Sequence, residues 1–175
     1  MNLPNILSVS RILLLIPIIF LFEYGLFLFS TLTFIAASLT DYLDGYLARI
    51  NRQTSDLGAL LDLLSDKIFV STLLIWMTFN FDNLLVLISS IFIVSREISI
   101  SYLRLFIISK SKSIGDVKSD SLGKYKTAFQ MLGLGLILIS PLFSDLIFNI
   151  SISLLLFSSL ISWYSLYKYL NKWIV

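Results

Sequence analysis

Two stretches of the chain run long without a charge: Thr127–Ser144, 18 residues, and Leu146–Tyr167, 22 residues. A helix needs about 20 apolar residues to cross the hydrocarbon of a bilayer, so both stretches are long enough to span unaided. Four shorter apolar stretches, Ile12–Phe22, Tyr24–Thr40, Ile68–Phe81 and Asn83–Ser95, reach that length only by continuing past a charged residue. The composition agrees. With 57% hydrophobic and 14% charged residues, against about 25% charged in soluble domains, most of the surface of this chain is built for lipid. The expected architecture is an all-α integral membrane protein with six transmembrane helices, in one domain covering residues 1–175.

The second helix is expected over about Leu26 to Arg49, the third over Gly58 to Phe79 and the fourth over Leu84 to Ile108. These three carry Asp41 and Asp44, Asp62 and Asp66, and Arg96, Glu97 and Arg104. Ionisable groups at membrane depth are costly and mark function by default. The short connections Glu23–Gly25, Asn80–Asn83 and Pro141–Asp145 contain acids and no Lys or Arg, whereas all 13 basic residues lie toward the other side or within the fourth helix. Positive residues favour the cytoplasmic side, so both termini are expected in the cytoplasm. The apolar run after Arg11 lacks a small-residue cleavage site, so it reads as a retained span rather than a signal peptide. Before it, Asn2–Ser8 suits a short interfacial helix, with Asn2 as cap and Pro4 in the first turn. Trp163, Tyr164, Tyr167, Tyr169 and Trp173 read as an interfacial aromatic belt.

The chain has no cysteine and no histidine. That closes thiolate and imidazole metal sites, cysteine nucleophiles, phosphohistidine intermediates and the Ser-His-Asp triad. A net charge of +2 gives a nucleic-acid partner little support. Any chemistry must be done by 11 carboxylates and 13 Lys/Arg.

The informative segment runs from Asp41 to Asp66. Asp41 and Asp44 are three apart and Asp62 and Asp66 four apart, so each pair shares a helix face. Between them Ile50–Leu57 is polar and reads as the turn of an antiparallel pair. Asp44 and Asp62 are each nine residues from Gln53, so folding there brings four carboxylates to one level near the cytoplasmic surface. Crowded carboxylates raise one another's pKa or recruit cations. All-oxygen ligands favour a hard ion such as Mg2+ or Mn2+, and two such ions suit in-line phosphoryl displacement. Two other readings use the same residues: buried ion pairs that only order the helices, and the intramembrane carboxylates of an ion transporter. Gly45 lies mid-helix, where glycine costs about 1 kcal/mol; its placement among the aspartates, like that of Gly58, suggests close approach of a nucleotide.

The pattern D-x2-D-G-x2-A-R-x8-G-x3-D-x3-D is complete from Asp41 to Asp66, and it resembles the signature of the CDP-alcohol phosphatidyltransferase family. The opening Asn2-Leu-Pro4-Asn5-Ile-Leu-Ser8-Val-Ser-Arg11, the segment Ser95-Arg96-Glu97-Ile98 followed by Arg104, and Gly123-Lys124-Tyr-Lys126-Thr127 are similar to the bacterial branch whose acceptor is glycerol 3-phosphate. The resemblance covers roughly residues 2–135. It implies six helices around a cytoplasm-facing cavity in a bacterial inner membrane, often in a homodimer, and an enzyme transferring phosphatidyl from CDP-diacylglycerol to an alcohol with release of CMP. It further implies that Asp41, Asp44, Asp62 and Asp66 hold two divalent cations, with Asp66 also the general base. Gly45, Ala48, Arg49, Ser55 and Gly58, with Asn5 and Ser8, match positions that seat the CDP part. Two departures stand out: Leu63 where that branch commonly has proline, expected to alter the start of the third helix, and a poorly matching tail over Ser162–Leu170.

Glycerol 3-phosphate is a dianion and needs a cationic seat. Arg96 and Arg104 are eight apart, within about 80° of each other on one helix, and Lys124 and Lys126 open the fifth helix on the same side. Arg holds phosphate bidentately and Lys as a point charge. Glu97 is the only acid on the fourth helix, and neighbours on a helix point about 100° apart, so Arg96 is not expected to pair with it. The cations then exceed local pairing and await an anion. Inositol phosphate, phosphatidylglycerol or serine as acceptor, and a prenyltransferase using aspartate-rich motifs, are the alternative functions.

Overall fold

The computed structural model describes the backbone of residues 3–50, 56–111 and 121–174, and the side chains of 8–40, 61, 63–103, 105–106 and 126–171. Among these residues the structure is wholly helical: α1 Leu3–Glu23, α2 Phe27–Ile50, α3 Asp56–Phe81, α4 Leu84–Ser111, α5 Ser121–Ile139 and α6 Asp145–Ile174. Stretches α4 Leu84–Leu103 and α6 Asp145–Asn171 are long and apolar enough to cross a membrane.

Two expectations change. The N-terminal segment is not a separate interfacial helix; its described part is continuous with the first span from Leu3 to Glu23. Pro4 lies in the first turn, where a missing N–H breaks no bond. And α3 begins at Asp56 and passes through Leu63 without a break. The connection expected at Pro141–Asp145 follows the end of α5 at Ile139, with Ser140–Leu142 in a 3-10 turn at Pro141.

The turns at the acidic end follow from local chemistry. Gly25 closes α1 with φ +76°, while its N–H bonds Phe22 O and the N–H of Leu26 bonds Leu21 O. That is a Schellman cap, which needs a left-handed residue. Asp82 takes φ +42°, and Asn83 caps α4 by accepting the N–H of Leu85 at 2.9 Å. Below these turns Phe22 packs edge-on against Phe27, Trp76 and Phe81, and Phe81 stacks on Phe148. The Glu23 carboxylate accepts from Trp76 Nε1 and Asn80 Nδ2, each at 3.0 Å.

Helix α1 packs on α2 and α3, and α6 packs on α4 and α5; α3–α4 and α2–α5 contacts complete the bundle. The core runs through Ile18, Phe69, Leu73, Met77, Leu134 and Leu155. Small polar residues are buried, including Ser30, Ser89, Ser90, Ser151, Ser158 and Ser162, while Leu13, Ile16, Phe20, Ile75, Phe79 and Leu160 face outward. Serines let helices approach closely and bond between them: Ser30 Oγ donates to Ile18 O at 2.8 Å and Ser158 Oγ to Lys126 O at 3.0 Å. Trp163 does more than sit in an aromatic belt, since its Nε1 donates to Phe92 O at 3.0 Å and joins α6 to α4.

Helix α5 approaches α6 closely at Gly133. A Cβ there would lie 2.9 Å from Leu155 Cγ and Cδ2 and 3.2 Å from Ser151 O, whereas one at Gly135 would meet Phe34 at 3.4 Å. Leu155 is fully buried and cannot yield cheaply. Gly133→Ala is expected to destabilise the bundle by about 1–3 kcal/mol, while Gly135→Ala leaves stability unchanged or raised; thermal unfolding in detergent distinguishes them.

Candidate active site

Toward the basic end the helices enclose a cavity of about 190 Å³ between α3, α4 and α5. At about 30 Å³ per water, that is room for a small molecule. Its charged lining is Asp66 and Lys67 from α3, Arg96 and Glu97 from α4, and Lys126 from α5, with Gln130 beside them.

Asp66 is half-buried, and its Oδ1 accepts from Nη1 of Arg11 on α1. Arg11 is only 1% exposed. A buried cation is tolerable only when paired and hydrogen-bonded, so this contact both accommodates the arginine and orients the carboxylate at the cavity wall.

The rest of the charged lining is a network. Arg96 Nη1 donates to Glu97 Oε1 at 2.9 Å, and Lys126 Nζ donates to the same oxygen. Arg96 Nε donates to Ser162 O at 3.1 Å, which ties the guanidinium to α6. Lys67 Nζ donates to Glu97 O at 3.4 Å and to Ser101 Oγ. The expectation that Glu97 does not pair with Arg96 is therefore wrong. Adjacent residues do leave the helix in different directions, but the arginine side chain is long, and its anchor on α6 turns Nη1 back to the neighbouring carboxylate. Nor do Arg96 and Lys126 stand uncompensated, since Glu97 engages both. Even so, among the described residues the lining carries three cations, Lys67, Arg96 and Lys126, against two carboxylates, Asp66 and Glu97.

Of the residues singled out from sequence, Asp66, Arg96 and Lys126 come together at this cavity. Ser8 is buried on α1. Asp41, Asp44, Gly45, Ala48 and Arg49 lie on α2, Gly58 and Asp62 on α3, Arg104 on α4, Lys124 on α5 and Asn5 on α1. The side chains of these ten and the whole of Ser55 fall outside the described residues, as does the meeting of the four aspartates. Sequence reasoning missed Lys67, Glu97 and Arg11 as parts of the site. A signal existed for each: Lys67 follows Asp66 directly, and Arg11 and Glu97 are charges within apolar helices.

The arrangement lines one small cavity with an oriented carboxylate and several cations. Such a site can hold a phosphate-bearing molecule and receive a proton from it. Comparison with known proteins agrees with that chemistry. A family-level match to CDP-alcohol phosphatidyltransferase covers residues 1–166. Curated relatives named CDP-diacylglycerol–glycerol-3-phosphate 3-phosphatidyltransferase include one from Wigglesworthia glossinidia brevipalpis, 36% identical over 97% of this chain and 93% of its own length. The protein of that name from Sodalis glossinidius is 33% identical over the same shares, and the one from Pseudomonas fluorescens 35% identical over 81% of this chain and 74% of its own. The match extends past residue 135 to Leu166, the last buried aliphatic side chain of α6, so with the signature complete from Asp41 to Asp66 the chain belongs to the CDP-alcohol phosphatidyltransferase family.

Proposed function

We propose that this chain transfers the phosphatidyl group of CDP-diacylglycerol to a hydroxyl of sn-glycerol 3-phosphate, giving phosphatidylglycerophosphate and CMP, in a bilayer with the site and both termini on the cytoplasmic side. The single observation that carries the choice of acceptor is the cavity whose lining brings Lys67, Arg96 and Lys126 together with Asp66. A phosphate seated on the cations leaves the acceptor's hydroxyl end directed at the carboxylate. Uncharged acceptors have no use for such a wall.

The donor set fits Mg2+ or Mn2+. Asp66 presents carboxylate oxygens at the cavity, the other three signature aspartates are of the same type, and the chain offers no thiolate or imidazole ligand. Asp41, Asp44, Asp62 and Asp66 would hold two ions, which when bound neutralise the donor diphosphate and ease deprotonation of the acceptor hydroxyl. Gly45, Ala48, Arg49, Ser55 and Gly58, with Asn5 and Ser8, seat the CDP part. Arg96, Lys126 and Lys67 hold the acceptor phosphate, with Arg104 and Lys124 on the same side. Asp66, oriented by Arg11, receives the hydroxyl proton as the oxygen attacks the phosphorus bearing diacylglycerol. The bond from that phosphorus to the bridging oxygen breaks, and CMP leaves.

Product analysis tests this reading. Purified protein in detergent, given CDP-diacylglycerol and Mg2+, is expected to form phosphatidylglycerophosphate with glycerol 3-phosphate and little product with glycerol, serine or inositol phosphate. Efficient use of free glycerol would remove the role of the cationic wall. EDTA is expected to abolish turnover and Mg2+ or Mn2+ to restore it; full activity in EDTA counts against the carboxylate-metal site.

Two substitutions separate donor from acceptor. Arg96→Gln is expected to raise KM for glycerol 3-phosphate by about tenfold or more, as loss of a charge-assisted contact of roughly 1.5–3 kcal/mol implies, with KM for CDP-diacylglycerol little changed. Asp66→Asn is expected to lower kcat by about 100-fold or more while leaving CDP-diacylglycerol binding largely intact. Turnover of that variant near the wild-type rate would exclude Asp66 as the base.

A further inference from the structure

Glu97 is an anion inside a seat built for an anion. Its side chain is 16% exposed, and its Oε1 takes one hydrogen bond from Arg96 and one from Lys126. Both donors line the cavity and both are buried. A phosphate entering there reaches for donors that a carboxylate of the chain already engages. An ion pair meant only to join α4 and α5 has no need of the cavity, yet this one lies in the lining that also holds Asp66.

The chemistry of the reaction gives such a competitor a use. The acceptor reacts through a hydroxyl, so its phosphate passes unchanged into the product. Every contact that holds the phosphate of the acceptor is equally available to hold that of the product. Binding shared by the two tightens both and adds nothing to the chemical step. A wall of Lys67, Arg96 and Lys126 without counter-charge would retain the product. We infer that Glu97 is a specificity- and turnover-setting residue, an internal carboxylate that shares Arg96 and Lys126 with the incoming phosphate and holds phosphate affinity below what the three cations alone would give.

This inference rests on the reading of the cavity as the acceptor-phosphate seat. It has a definite sign. Removing the charge while keeping the shape, in Glu97→Gln, is expected to lower KM for glycerol 3-phosphate by about fivefold or more, since charge-assisted contacts are roughly twice as strong as neutral ones. KM for CDP-diacylglycerol stays within about twofold on the same ground, and kcat falls as product release slows. Inhibition by inorganic phosphate strengthens in parallel. A role confined to joining helices would leave these constants in place or raise KM for the acceptor.

A second readout needs no turnover. Glycerol 3-phosphate added without donor is expected to raise the Tm of the Gln variant in detergent more than that of the wild type, with free glycerol at the same concentration raising neither. Should Glu97→Gln fail to fold, Glu97→Asp keeps the charge, withdraws it by one methylene, and is expected to shift KM in the same direction by less. An unchanged or higher acceptor KM in whichever variant folds, or equal stabilisation of variant and wild type, overturns the inference. If the wild-type protein uses free glycerol as readily as glycerol 3-phosphate, the acceptor reading itself falls. If glycerol 3-phosphate is the acceptor and KM does not drop, the inference alone falls.

Discussion

Glu97 Oε1, with Arg96 on one side and Lys126 on the other, is the contact around which the basic end of the bundle is organised. Neither cation can stand alone at that depth, because an unpaired buried charge costs far more than a packed helix pair returns. The carboxylate makes both tolerable at once. Arg96 reaches on to Ser162 O, and Ser158 bonds the backbone of Lys126, so α6 backs the whole cluster. The cavity exists because charged side chains, rather than interlocking apolar ones, bridge α4 to α5 at this level.

A chain dissolved in lipid has little hydrophobic drive to bring its helices together, since the solvent is as apolar as leucine. The burial pattern reflects that. Leucine, isoleucine and phenylalanine cover the outside, while serines, a glutamine and three cations are turned inward. Contact between helices is made instead by close approach at small residues, as at Gly133, and by hydrogen bonds to backbone carbonyls, as at Ser30 and Trp163. The two ends of the bundle do different work. The acidic end is closed by an aromatic cluster about Phe22, two left-handed turn residues and the Glu23 contacts to α3. The basic end holds the polar cavity.

Helix α1 links the signature segment to the rest. It packs on both α2 and α3, the helices that carry the four aspartates, and through Arg11 it also holds Asp66. The first helix therefore contributes to the site, although no signature residue lies on it.

The amino-acid sequence by itself determined the local features of this protein. The apolar pattern places α2, α3 and α4 close to their observed bounds. Gly25 and Asn83 mark turns by their own chemistry, and the segregation of Lys and Arg from the short acidic connections separates the two ends. The pattern from Asp41 to Asp66 carries the resemblance to the family, and the three- and four-residue spacings give each aspartate pair a shared helix face. Tertiary structure alone decided which charges meet. Asp66 and Arg11 are 55 residues apart, Lys126 and Glu97 29, and Arg96 and Ser162 66; no local period encodes such pairs. Even the adjacent pair Arg96 and Glu97 escaped a reading by helical angle, because a long side chain anchored on another helix is free of the direction in which its Cβ leaves its own. For the same reason Lys67 counts in sequence as one more positive residue, and only the packing of α3 against α4 makes it part of the cavity wall.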